Sequence, residues 1–438
     1  MRHLAAAVRD SELVRRTGTV SQFSGLLIES IGPDAFVNEL CEIHERANPA
    51  GVPAEVIALK AGRVLLMPYQ DLRGISLGAE VIATGRSATV PVSQSMLGRV
   101  VDAFGAPLDG KGVVQPTAYQ PLYAKPINPL ARTRIVSILE TGVRAIDSLL
   151  TVGRGQRMGI FSGSGVGKSS LLGMVARNMD ADVNVVALVG ERGREVRDFV
   201  EDVLGPEGLR RSVVVAATSD QPALVRRRAA FAATAIAEYF SAQGLHVVLT
   251  MDSLTRLAMA QREVGLAIGE PPTARGFTPS VFAMLPKLLE RSGNTENGGS
   301  ITAFYTVLVE GDDLNDPIAD SVRAILDGHI VLDRELANRG RYPAIDLLSS
   351  VSRLVRDLAS AEEMEWIRRT VKLLSVHRAS KDLVEVGAYR PGTNAELDTA
   401  IRLMPALEEF LGQSPEIAVR RADAMRQLQA VLAQKAGR

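Results

Sequence analysis

The sequence predicts an α/β protein: a phosphate-binding-loop core on a mostly parallel sheet, with a small β-barrel before it and an α-helical domain after it. Three observations carry this prediction. A glycine-rich loop, Ser162 to Ser169, lies between an apolar strand and a helix. Near-continuous apolar runs alternate with helical segments from Val183 to Leu308. On either side the pattern changes, to short turn-punctuated β-runs before about residue 91 and to helical periodicity alone from about residue 357. The resulting divisions are 1–17, 18–91, 92–356 and 357–438.

Composition narrows the function classes. The 438 residues carry 50 Lys and Arg against 50 Asp and Glu, which argues against a dedicated nucleic-acid binder. The single cysteine, Cys41, excludes an internal disulfide framework and reads as a buried small hydrophobe in a reducing compartment. The apolar run at the N-terminus is too short for a signal peptide, and no uncharged stretch has the length of a membrane span. The expectation is a soluble cytoplasmic protein, docked peripherally on a membrane complex.

Along the chain, Leu4, Val8, Leu13 and Val14 lie among Arg2, Arg9, Arg15 and Arg16, which fits a short basic helix, either a frayed terminus or a docking peptide. The runs Thr19-Val20, Leu26–Glu29, Ala54–Leu59, Arg63–Met67 and Val81–Ala83 are separated by Gly or Pro, the pattern of a small barrel. Leu97–Asp102 leads into a turn-rich connector, and Glu140–Asp147 reads as a capped short helix. Strands are expected at 157–161, 183–189, 212–217, 246–251 and 301–308, with helices at about 195–204 and 222–243. Such apolar strands alternating with helices form a parallel sheet covered on both faces, with ligands at the carboxyl ends of its strands. Near the C-terminus, 416–435 reads as an amphipathic helix with Ala418, Ala422, Met425, Leu428 and Leu432 on one stripe, suited to core packing.

The loop Ser162-Gly163-Ser164-Gly165-Val166-Gly167-Lys168-Ser169 has the spacing of a polyphosphate cradle, although Ser162 replaces the usual first glycine. Its glycines let successive N–H groups turn inward, and the helix beginning near Ser170 adds its positive end. Lys168 is expected to reach the β- and γ-phosphates and Ser169 to ligate Mg²⁺. Asp252 ends an apolar strand, where it can support Mg²⁺ or cap the next helix. Glu191 follows the strand 183–189 closely; it can orient and deprotonate water, or it can pair with Arg192 or Arg194.

At this point the chain resembles a known family from about Gly18 to Gln413. Pro343-Ala344-Ile345-Asp346 with Ser350-Val351-Ser352 is similar to the superfamily of rotary ATP synthase α and β subunits and Gly190-Glu191-Arg192 to its catalytic subunits, while Met251–Glu263 and Gly269-Glu270-Pro271-Pro272 with Pro279–Phe282 are similar to its secretion branch. Within it, they resemble the type III secretion ATPases and most of all the flagellar export ATPases. The resemblance implies a RecA-like core that hydrolyses ATP with Mg²⁺ to energise protein export. It implies that Gly163, Ser164, Gly165, Val166, Gly167, Lys168, Ser169, Ser170, Glu191, Arg192, Asp252 and Arg256 line the nucleotide and metal site. It implies that Tyr342 packs on adenine and that Arg353 reaches into a neighbouring subunit's site. The loops 270–273 and 311–316 match loops that face a central pore. Implied partners are a stator-like regulator at the N-terminus, a central stalk protein, the export gate at the membrane, and export substrates with their chaperones.

Three other readings compete. The injectisome version of the enzyme shares every catalytic residue. A non-catalytic nucleotide-binding subunit would lack Glu191. A hexameric RNA translocase is disfavoured by the neutral charge. Because Glu191, Tyr342 and Arg353 occur in one chain, the expected assembly is a homo-oligomeric ring, six-fold, in which each Arg353 serves a neighbour.

Overall fold

A computed structural model describes residues 15–45, 48–296 and 298–434. The basic helix expected at the extreme N-terminus lies outside the described residues as far as Val14; its last residue, Arg16, belongs instead to the first barrel strand, Arg16–Ser24, where it pairs with Glu39. Among those residues, no helix is long and apolar enough to cross a membrane.

The first unit is a closed antiparallel barrel of six strands. In spatial order they are Arg16–Ser24, Leu27–Ile31, Arg63–Pro68, Asn48–Lys60, Glu39–Glu45 and Glu80–Ser87. Inward residues alternate along each strand, as at Cys41 and Ile43, both buried. The strand Glu39–Glu45 was not anticipated, because Glu39, Glu42, His44 and Glu45 mask the period. Its Glu39 is buried, pairs with Arg16 at 3.0 Å, and accepts from the amides of Phe36 and Gly85. Burial pushes the Cys41 thiol up to about 12, so it packs as an apolar group.

The core is one sheet ordered Val351–Ser352, Gly328–Leu332, Arg157–Ser162, Ser300–Leu308, His246–Asp252, Val183–Glu191, Ser212–Thr218 and Arg99–Val101. All neighbours run parallel except Val351–Ser352, and a short antiparallel segment, Gly293–Asn294, hangs from Ser300–Leu308. Two of these strands correct the expected pattern. Arg99–Val101, read as part of a connector, pairs with the outer strand Ser212–Thr218. Gly328–Leu332 was missed; its glycine and histidine break the apolar run.

Helix Ala223–Ser241 packs along the sheet through Ala229, Ala230, Ala232, Ala233, Ala235 and Ala237, all buried. Such small side chains let the helix backbone lie close to the strands. The helix expected near 195–204 begins at Gly193 and widens into a π-type turn over Phe199–Leu204. The short helix near 140–147 is Arg144–Leu149, and no side chain caps it at Val143. Instead Asp147, inside the helix, reaches back to accept from Thr141 N, Thr141 Oγ1 and Gly142 N.

The C-terminal helices are Ala361–Ala379, Lys381–Glu385, Ala395–Leu411 and Arg421–Ala433. Ser360 and Glu363 form a reciprocal capping box on the first. The last helix starts at Arg421 rather than Glu416, so Ala418 is outside it and Ala422 is exposed. Its buried stripe is Ala424, Met425, Leu428 and Leu432, which packs into the core. The side chain of Gln413 ties this unit to the start of the core, accepting from Arg144 N at 2.7 Å and donating to Gly142 O at 2.8 Å.

Candidate nucleotide site

The strand Arg157–Ser162 lies between Ser300–Leu308 and Gly328–Leu332, and the glycine-rich loop leaves its carboxyl end. Gly165 and Gly167 have φ of 77° and 92°, a conformation that a side chain would strain. Helix Lys168–Asn178 starts directly from Gly167. Buried Val166, Leu171 and Leu172 anchor the loop's inner side, while Ser164, Gly165 and Ser169 are exposed and Ser170 is half-buried. The loop therefore presents backbone N–H groups and a helix N-terminus to solvent, the donor set a polyphosphate needs.

Three strands deliver the charged residues. Lys168 Nζ lies 2.5 Å from Asp252 Oδ1 and 3.9 Å from Glu191 Oε1. Asp252 is the last residue of His246–Asp252, next to the strand that leads to Thr306, whose Oγ1 donates to Asp252 Oδ1 at 2.7 Å. The cap of helix Leu254–Ala267 is Ser253, not Asp252: Ser253 Oγ accepts from Arg256 N. Asp252 Oδ1 thus receives both Lys168 and Thr306 instead of capping the helix. Thr306 was not singled out from the sequence, because one threonine in an apolar strand carries no local signal.

Glu191 ends the buried strand Val183–Glu191. Its ion-pair partner is Arg256, whose Nε donates to Oε1 at 2.9 Å. Neither arginine considered from the sequence holds it: Arg192 is largely exposed and faces Glu195, and Arg194 faces Asp198. Burial raises the Glu191 carboxyl to about 7, assisted by a hydrogen bond shared with Glu195 and by the charge of Asp252; Lys168 and Arg256 oppose the rise. A carboxylate that titrates near neutrality, 3.9 Å from the loop lysine, has the properties of a general base for water.

Tyr342 reaches the same loop from beyond the edge of the sheet. A Cβ added to Gly167 would lie 3.2 Å from the Tyr342 ring. Tyr342 also lines a cavity of about 520 Å³, together with Leu336, Arg341, Gly412, Gln413 and Pro415. The tyrosine backbone is fixed by Gln413 N, which donates to Tyr342 O at 2.8 Å. An aromatic wall beside the loop and a cavity of this size suit a planar base. The wall at 412–415 carries no motif and was not foreseen.

Arg353 stands apart. Its N donates to Asp327 O, and Asp327 N donates to Arg157 O, so Arg353 is level with the start of the strand whose end carries the loop. Five residues of strand separate the two levels, about 16 Å at the usual rise. Two strand spacings also intervene laterally. The exposed Arg353 side chain cannot reach its own loop.

The nucleotide-binding domain of the ATP synthase alpha/beta family matches residues 142–352, and the β-barrel domain of that family matches residues 20–85. The T3SS EscN ATPase C-terminal domain matches residues 359–430. The chain is 52% identical over 416 residues to the flagellum-specific ATP synthase of Bacillus subtilis, covering 94% of each. It is 49% identical over 399 residues to the type 3 secretion system ATPase of Xanthomonas euvesicatoria, covering 91% of this chain and 90% of that one. The assembled ATPase EscN from the type III secretion system of enteropathogenic E. coli superposes with a TM-score of 0.90 at 43% identity, over 95% of this chain and 100% of EscN; a second structure holds EscN with its central stalk EscO. With a six-stranded barrel, a parallel-sheet nucleotide core and a helical C-terminal unit all in place, the chain belongs to the type III secretion branch of the ATP synthase alpha/beta family and is an ATPase.

Proposed function

We propose that the chain hydrolyses Mg-ATP within a homomeric six-fold ring and so energises type III export of flagellar components. The observation that carries the reading is Glu191: buried, held by Arg256 and 3.9 Å from Lys168, which supports a role as catalytic base beside the phosphate loop. In this reading Lys168 neutralises the β- and γ-phosphates, and the loop amides from Gly163 to Ser170 cradle them. Glu191 orients the attacking water and takes its proton, while Arg256 fixes the carboxylate. Tyr342 packs on the adenine. Arg192, largely exposed and loosely paired with Glu195, would meet the substrate or the next subunit.

The donor set also fits Mg²⁺. Exposed Ser169, in the first turn of helix Lys168–Asn178, and the carboxylate of Asp252, at the carboxyl end of His246–Asp252, are hard oxygen donors, and they would hold the ion. Bound there, Mg²⁺ supplies neutralisation of phosphate charge. Arg353, unable to reach its own loop, would complete a neighbour's site, which motivates the ring; EscN is known in an assembled form.

The wider context follows from the same reading. The N-terminal segment would meet a stator-like regulator, and the loops 270–273 and 311–316 would face a central stalk, as EscN has in EscO. The helical C-terminal unit would meet export substrates and chaperones, at the cytoplasmic face of the membrane beside the export gate. An injectisome role is the second reading, favoured by the likeness to EscN and to the Xanthomonas protein. Deleting the gene separates the two: loss of swimming with intact effector secretion supports the flagellar role, and the reverse supports the injectisome. RNA should leave the ATPase rate unchanged.

A further inference from the structure

The glycine-rich loop is gripped from outside by an ion pair that the phosphate chemistry does not use. Arg334 Nε donates to Asp312 Oδ2 at 2.8 Å. This pair lies flat against Gly163: an added Cβ would fall 2.1 Å from Asp312 Oδ1 and 2.5 Å from Arg334 Nη2. The segment that bears Asp312 is also fastened to the strand end, because Val309 N donates to Ser162 O at 2.9 Å.

The same segment is bolted to a second one. Arg275 donates to Asp313 Oδ2 at 2.6 Å and to Asp316 Oδ2 at 3.1 Å. One guanidinium thus joins residues 270–277 to residues 310–316. Backbone geometry marks the same two places independently. Among the described residues only four non-glycines have positive φ, and two of them are Arg275 at 50° and Asp312 at 58°. Non-glycine residues hold such conformations only where surrounding contacts impose them, and sites of this kind recur in switching segments. Each sits in a short turn closed by backbone hydrogen bonds, Gly276 N to Thr273 O and Asp313 N to Glu310 O, and the ion pairs just named add the side-chain contacts.

We propose that Arg334, Asp312 and Arg275 are positioning residues that link the phosphate loop, through Gly163, to both segments, so that nucleotide occupancy and the placement of 270–277 and 310–316 form one equilibrium. The chain of contact is short: loop to Asp312–Arg334, Asp312 to its neighbours Asp313 and Asp316, and these to Arg275. The exposed ion pairs add little to global stability, so their consequence is geometric. Any nucleotide that fixes the loop then fixes both segments, and by linkage anything that holds the segments alters nucleotide affinity equally. The inference rests on the nucleotide reading of the loop.

Hydrogen–deuterium exchange of the full chain tests it, at a concentration where sedimentation shows monomer, with and without Mg-AMPPNP. Nucleotide should slow exchange at least about five-fold in both segments of the wild type. Arg275→Gly tolerates the left-handed backbone and deletes the bolt. It should keep nucleotide-dependent protection in 310–316, lose it in 273–277, and bind Mg-AMPPNP within about five-fold of wild type by fluorescence titration. Arg334→Ala should lose protection in both segments, and Arg275→Lys, able to keep one of two bonds, should restore part of it in 273–277. The link is overturned if bound nucleotide leaves wild-type exchange unchanged, if Arg275→Gly retains protection at 273–277, or if Arg334→Ala retains it in both. Loss of nucleotide binding in Arg275→Gly also overturns it, since Arg275 would then belong to the phosphate site itself. Failure of the wild type to bind Mg-AMPPNP is a different result, and it refutes the nucleotide reading.

Discussion

Lys168 Nζ donates to Asp252 Oδ1 over 2.5 Å, so the one cation of the phosphate loop is held by a carboxylate 84 residues away. A polyphosphate entering the loop competes for that ammonium. Lys168→Ala removes the charge that meets the phosphates and leaves Asp252 and Glu191 facing each other. ATP hydrolysis should fall by at least about 10²-fold and nucleotide affinity should weaken. Full turnover in a variant with a wild-type unfolding profile refutes the assignment.

Glu191→Gln preserves the shape of the side chain and its acceptance from Arg256. It removes the base. Turnover should drop by about 10²–10⁴-fold while ATP binding survives. Equal loss of both, measured by steady-state kinetics and nucleotide titration, would assign Glu191 a purely structural role.

The pH dependence follows from the same carboxyl. Its folded pKa is raised to about 7, so the proposed base would be protonated below neutrality. kcat/KM should rise with pH through about 7 and then level. Removing the opposing positive charge with Arg256→Met should move that limb to higher pH. A limb that stays put in Arg256→Met, or that persists in Glu191→Gln, belongs to another group.

Assembly is tested by mixing two inactive parents. Arg353→Ala would lack the arginine proposed to serve a neighbour, a contribution of about 10³–10⁵ in rate in well-studied phosphoryl-transfer systems. Lys168→Ala lacks the loop cation. Mixed rings contain interfaces with Lys168 on one side and Arg353 on the other, so activity should return. Mixed rings as inactive as either parent would confine Arg353 to its own subunit.

The barrel is fastened to the core by a buried ion pair, Arg227 to Glu55 at 2.7 Å, with Glu55 also accepting from the Tyr69 and Tyr123 hydroxyls. Glu55 is fully buried. Arg227→Ala strands that carboxylate and should destabilise the fold by about 3–5 kcal/mol in urea unfolding. The double variant Glu55→Met with Arg227→Met should recover most of the loss, because it leaves no unpaired charge behind.

The sequence by itself determined whatever is encoded within a few neighbouring residues. The cradle from Ser162 to Ser169 is written in eight consecutive residues, since glycine placement and the following helix suffice to shape it. The parallel sheet was legible because strands buried on both faces must be apolar throughout. Barrel strands with clean alternation were legible too, whereas Glu39–Glu45 was hidden by charges that only the barrel rim neutralises. Tertiary structure alone decided which side chains meet. Parallel crossovers place Val183–Glu191 beside His246–Asp252, and that adjacency, not chain proximity, gives Glu191 the partner Arg256 instead of Arg192 or Arg194. Strand order also sets Arg353 at the far end of the sheet from its own loop. Periodicity tells which face of an element is buried; it carries no information about which element covers that face, and the partners of Lys168, Glu191 and Gly163 all arrive from segments distant in sequence.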